Sequence, residues 1–209
     1  MKTKKRMLLA LAAGFCFTFY GCYISGPTYT DEFDLVITNY DKNATFKGRA
    51  FYAMPDKVAK ITGNVAQGLP PTYLSEPYAS TIINRIQANM LALGYTLVTD
   101  TALAEFVLFP SEMEVTNISY YYDYYYYYWG WYYPGGGWYY PYYPVTTTYT
   151  TGTIIVNMVD LRNPGANDKL HAVWSTIING VMDGDVTTAI SRINTTIDQA
   201  YEQSQYLHQ

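Results

Sequence analysis

Residues able to do chemistry are few in this chain, and their spacing excludes most reactions. The only histidines are His171 and His208, so a histidine-rich metal cluster cannot be assembled. Asp31, Glu32 and Asp34 crowd one strand start, and Asp183 and Asp185 flank Gly184 before a helix. Neither group has the ligand ladder of a calcium loop, and solvation or helix capping accounts for both. Gly135 to Gly137 lacks the Lys-Ser or Lys-Thr that completes a phosphate loop. No serine occupies a Gly-x-Ser-x-Gly elbow. A glycosidase would need two carboxylates brought together by folding, such as Asp160 with Asp34. The chain is therefore expected not to be an enzyme, and to hold no cofactor or metal.

The two cysteines are accounted for by the N-terminus. Lys2, Lys4, Lys5 and Arg6 precede an apolar run from Met7 to Tyr20, and Gly21-Cys22 follows. The run is short of the about 20 apolar residues of a membrane-spanning helix, and its order of basic, apolar and small residues reads as an export signal. Phe19-Tyr20-Gly21-Cys22 resembles a bacterial lipobox, which implies cleavage before Cys22 and acylation of its thiol. Several acyl chains hold a protein durably on a bilayer. Residues 1–21 are thus expected to be a signal peptide, and residues 22–30 a lipid tether. Tyr at the position after Cys22, in place of the Asp linked to inner-membrane retention, points to the outer membrane of a Gram-negative bacterium. Removing the signal leaves nine Lys and Arg against 17 Asp and Glu, a net −8. That acidity argues against nucleic acid as a partner.

One stretch remains that is built to touch something. Tyr120 to Pro144 holds 14 Tyr, three Trp, four Gly and three Pro, with Asp123 as its single charge. Where nearly every residue is Tyr, no period separates a core face from a water face. Gly135 to Gly137, with Pro134, Pro141 and Pro144, breaks any continuous strand, so a hairpin or loop is expected. Tyr and Trp give rigid contact area with a polar handle, and the absence of Lys and Arg removes the basic groove that nucleic-acid stacking needs. Tyr127, Trp129, Trp131, Trp138 and Tyr140 are the candidate contact residues, for a neutral glycan or an envelope protein. The other use left open is a tract that packs on its own sheet or self-associates.

The elements that must position this tract follow from hydrophobic period. Phe33, Leu35 and Ile37 alternate with Asp34, Val36 and Thr38 as a first strand, and Arg49 to Met54 forms a second. Lys57 to Leu74 reads as loop, with Val58 and Ile61 able to reach the core. Ser75 is placed as N-cap of a helix to Leu93, with Tyr78, Ile82, Ile86, Met90 and Leu93 on one stripe and Gly94 as stop. Tyr95 to Val98 is a short strand. Glu105 to Phe109 starts a longer one that resumes as Met113 to Ile118, because Pro110 suits an edge or a bulge. Thr146 to Asp160 and Leu170 to Ile178 form the strongest hairpin, the second strand with Ala172, Trp174 and Thr176 on one face against His171, Val173, Ser175 and Ile177 on the other. Asp185 caps a last helix through Ala189, Ile193, Thr196, Ile197 and Ala200. Together these predict one α+β domain over residues 31–206, a mainly antiparallel sheet covered on one face by two helices, with a long aromatic hairpin or loop insertion at residues 120–144. The flanking strands have their own turns and core residues, so the domain is expected to fold without the tract.

Asp34 in the first strand, Gly94-Tyr95 after the first helix, Ala104-Glu105-Phe106 opening a strand, and the segment from Gly152 through Asp160 to Val173-Trp174 occur in an order that resembles the DUF4136 family of bacterial envelope lipoproteins. Glu105 stands where family members usually have Asp, and the tyrosine-rich insertion is longer than the family pattern. The resemblance implies fold and location and carries no catalytic residues. Asp100-Thr101-Ala102 also resembles a short O-glycosylation site of Bacteroidetes-like envelopes, with Thr101 as acceptor.

Overall fold

The computed structural model describes residues 35–62, 71–114, 128, 132, 152–163, 170, 172–182 and 184–208. In chain order the elements are β1 (Leu35–Tyr40), β2 (Phe51–Ala53), β3 (Ala59–Ile61), α1 (Tyr78–Ala92), β4 (Thr96–Leu97), β5 (Phe106–Met113), β6 (Thr153–Asp160), β7 (Ala172–Asn179) and α2 (Val186–Glu202), closed by a 3-10 turn at Gln205–Leu207. They build a seven-stranded sheet of order β1-β7-β6-β5-β2-β4, with β3 also paired to β5. β1, β7, β6 and β5 pair antiparallel in that order, whereas β2 and β3 lie parallel to β5, and β4 parallel to β2.

Both helices cover one face. Ile82, Ile86 and Met90 of α1 and Ile193, Ile197 and Ala200 of α2 share a buried cluster with Phe106, Leu108, Ile154, Val156, Met158, Trp174 and Ile178. The helical period of the two apolar stripes is what lets each helix lay one face on the sheet, and each fully buried side chain of this size contributes about 1.5–3 kcal/mol. Arg85, off the stripe, meets Asp198 of α2, and that carboxylate also accepts from Asn89 Nδ2 at 2.8 Å. Asp185 caps α2 as expected, accepting from Thr187 N at 3.0 Å and Thr188 N at 3.1 Å.

The opposite face is buried too. Val107, Phe109, Met113, Ile155, Val159 and Ile177 form a second cluster with Tyr128, and Tyr132 packs against it. The eight residues of each of β5, β6 and β7 are accordingly all buried, which explains why these strands carry apolar residues at odd and even positions alike.

Three local expectations are corrected. Ser75 is not the cap of α1: the helix begins at Tyr78, because the residue before a proline is disfavoured in helical conformation, and the Glu76 carboxylate instead accepts from Ser80 N at 3.1 Å. Pro110 does not interrupt or edge its strand. β5 runs unbroken through it in the middle of the sheet, and the break lies in its neighbours: Ala53 opposes Val107 and Ala59 opposes Ser111, so the two extra residues loop out between β2 and β3. Odd positions of β5 face β6, as Gly152 N to Met113 O at 2.9 Å shows, and even ones face the other side, as Glu114 N to Ile61 O at 3.0 Å shows. The missing donor of Pro110 therefore falls at the gap, where no partner waits. Third, Val173 does not alternate with Trp174. A register shift pairs Met158 with Trp174 and Val159 with Ala172, and this bulge turns Val173 to the helix-covered face beside Trp174.

Candidate binding site

The loop-out between β2 and β3 brings Asp56 and Lys57 to the surface beside the second cluster, with Pro55 buried next to them. Tyr73 is fixed next to them, because Lys60 N donates to Thr72 O at 2.9 Å and Leu74 N to Val58 O at 2.9 Å, with Ala59 bridging Tyr73. Tyr128 and Tyr132 complete the wall. Both have helical backbone. They stand edge-on to Phe109, with ring centroids at 6.1 Å and 87° for Tyr128 and 5.4 Å and 90° for Tyr132. Tyr73 meets Tyr128 at 6.2 Å and 72°. Such edge-to-face pairs add about 0.5–1.5 kcal/mol each beyond area burial, so Phe109 sets the ring orientations.

These six residues enclose a pocket of about 210 Å³. Lys57 Nζ lies 4.7 Å above the Tyr73 ring, a cation–π contact that holds the ammonium over the mouth. Tyr128 Oη reaches Lys57 O at 3.5 Å. Burial, with Asp56 nearby as the second cause, pushes the Tyr132 hydroxyl up to about 12, so it stays protonated and can donate a hydrogen bond at neutral pH. The pocket thus offers aromatic faces and edges, one cation, one carboxylate and phenolic donors. It is smaller than the several hundred Å³ typical of a whole-ligand site, which suits one ring of a longer ligand.

A second groove, of about 450 Å³, is lined by Gly48, Ala50, Phe51, Val98, Leu103, Glu105 and Arg162. Its one lining acid, Glu105, has structural work. Glu105 accepts from Ala50 N at 2.6 Å and Phe51 N at 3.2 Å, fixing the entry of β2. Asp160, the acid considered for a glycosidase pair, lies 3.5 Å from Arg49 and accepts from Arg162 N at 2.8 Å and Asn163 N at 3.0 Å. Asp34, its suggested companion, lies outside the described residues, as do Asp31, Glu32, His171 and Asp183. Among the described residues no group of three His, Cys, Asp or Glu side chains could hold a metal ion, and no helix is long and apolar enough to cross a membrane.

Cys22, Tyr127, Trp129, Trp131, Trp138 and Tyr140 also lie outside the described residues. Tyr128 and Tyr132, which adjoin the chosen Tyr127, Trp129 and Trp131, are the tract's described members, and both sit at the pocket. Sequence reasoning missed Tyr73 and Lys57 because they stand in a segment whose Gly and Pro content marks it as loop. Their meeting with the tract depends on pairing across more than 50 residues. Thr101 lies in a turn where Asp100 Oδ1 accepts from Ala102 N at 2.9 Å.

A family model described as "Domain of unknown function (DUF4136)" matches residues 36–204. A crystal structure of a DUF4136 family protein from Bacteroides thetaiotaomicron VPI-5482 is similar at 31% sequence identity and a TM-score of 0.65, covering 84% of this chain and 97% of the other. No curated protein matches.

Proposed function

This chain belongs to the DUF4136 family, and from that premise we propose that it is a non-enzymatic, lipid-anchored protein of the bacterial envelope that binds a neutral glycan or an envelope protein through its aromatic surface. The observation that carries the reading is the convergence of Tyr73, Tyr128 and Tyr132 with Lys57 and Asp56 around one pocket. Flat rings suit the apolar faces of sugar rings, and hydroxyls with a fixed proton supply direction. One cation against one carboxylate leaves the pocket without a strong charge preference, which favours a neutral ligand over an anionic polymer.

Titration of the full chain with a neutral glycan panel, beside pulldown from solubilised native envelope, tests this. Tyr73→Ala and the combined Trp129→Ala, Trp131→Ala, Trp138→Ala variant are each expected to weaken the signal at least about tenfold, equivalent to about 1.4 kcal/mol. Tyr73 is 39% exposed, so its loss should leave the melting transition almost unchanged. Retention of every sugar and partner signal by both folded variants rejects the reading. A second use, in which the tract packs on its own sheet, is favoured by Tyr128, which is only 6% exposed. It predicts no ligand, and a loss of stability on replacing Tyr128.

The anchor rests on the order of basic residues, apolar run and Gly21-Cys22. Mass spectrometry of the protein from its native membrane is expected to find a diacylglycerol-bearing peptide that begins at Cys22. Mature protein that keeps an unmodified Met1 to Gly21 segment would exclude it.

A further inference from the structure

β1 ends the sheet, and its outer side has a pattern that can be read residue by residue. Asp41 N donates to Val173 O at 2.9 Å and Thr176 Oγ1 to Ile37 O at 3.2 Å, so the odd-numbered residues of β1 turn their backbone groups towards β7. In an antiparallel pair the alternate residues then face away. Val36, Thr38 and Tyr40 therefore direct three N–H and three C=O groups outward, and among the described residues no strand lies on that side.

Edges of this kind are usually blunted by lysine, proline, a bulge or extreme shortness. Leu35–Tyr40 has none of these: six uncharged residues in unbroken register with β7. The opposite edge is different, because β4 has two residues and β3 three. One long open edge against one short one favours an assembly that closes at two copies, whereas two long edges would permit an open fibre.

The outward groups are also self-complementary. A second β1 laid antiparallel about a twofold axis at Thr38 sets Thr38 opposite its own copy, and Val36 opposite the copy's Tyr40. Every outward N–H then meets an outward C=O, and the axis runs normal to the sheet. We propose that the outer edge of β1 is a contact between two copies of this chain, joining their sheets in this register. A partner strand of different sequence would meet the same backbone groups, but only the twofold arrangement makes residue 38 its own partner, and the experiment turns on that feature.

Light scattering of the full chain in mild detergent is expected to give the mass of two copies. Thr38→Pro should halve it. Because the N–H of Thr38 faces away from β7, proline at this position removes no internal ladder bond and leaves the cooperative melt in place. Thr38→Lys, which needs no special backbone, should also halve the mass. Thr38→Cys should give an oxidised dimer on a non-reducing gel beyond any band seen for wild type, whereas Ile37→Cys, whose partner would be Asn39 of the copy, should not. A wild-type mass of one copy at about 100 µM overturns the proposal, as does a dimer that survives both Thr38→Pro and Thr38→Lys, which would place self-association elsewhere. Equal crosslinking by Cys at 37 and 38 would reject the register.

Discussion

Trp174→Ala should lower the unfolding free energy by about 3–5 kcal/mol, the usual cost of deleting a fully buried indole. The ring has no exposed surface. It lies at the centre of β7, 5.3 Å from the Tyr201 ring of α2, and its Nε1 donates to Ser204 Oγ at 2.9 Å. Ser204 in turn donates to Ala200 O at 2.8 Å, so one side chain ties the sheet to the end of α2. Urea denaturation of wild type, Trp174→Ala and Trp174→Phe separates the terms. The alanine variant loses packing and the hydrogen bond, while phenylalanine keeps most of the packing and loses one hydrogen bond, at about 0.5–1.5 kcal/mol, because Ser204 Oγ still accepts from Tyr206 Oη at 3.2 Å. A Trp174→Ala loss below about 1 kcal/mol would mean that α2 is held to the sheet by other contacts.

Glu112→Gln should raise stability at alkaline pH and remove a pH dependence that wild type shows. Glu112 is 4% exposed, stands on the helix-covered face at the end of β5, and its Oε2 has no hydrogen-bond partner. Lys60 is its register partner, yet Lys60 Nζ is committed to Glu114 Oε1 at 2.8 Å. Burial is the main cause that lifts the Glu112 carboxyl from 4.5 to about 7; Glu114 adds to the rise, and Lys60 and the Gly152 amide oppose it. A folded-state value above the unfolded one means that the fold favours the protonated acid. Its contribution is complete below about pH 4.5, declines as pH rises, and is gone above about pH 7. A shift of this size corresponds to roughly 3 kcal/mol. Urea melts of both proteins at pH 5 and pH 8 should therefore differ mainly at pH 8, with the glutamine variant the more stable. Parallel pH profiles for the two would show that Glu112 ionises freely in the fold.

Such details were legible to very different degrees before folding. The apolar stripe of α1, Asp185 as the cap of α2, and the β6–β7 hairpin follow from neighbours a few residues apart, where period and capping chemistry act directly. Pro110 misled because its effect depends on what lies beside it: the gap between β2 and β3 exists only once the sheet has assembled. The bulge at Val173 likewise needs its partner strand before it has any meaning.

The candidate site divides in the same way. Composition alone determined that the tract is aromatic and almost uncharged. A run of identical rings has no period, however, so nothing in the sequence could select Tyr128 and Tyr132 as the pair set against Phe109. Nor could it show that the sheet is buried on both faces, which makes Tyr128 part of the core and counts against a domain wholly indifferent to its insertion. Local patterning is written in a few adjacent side chains, whereas the face on which a residue is buried is settled by contacts between segments far apart in the chain. Tyr73, Lys57 and Tyr132 became one pocket only through those contacts.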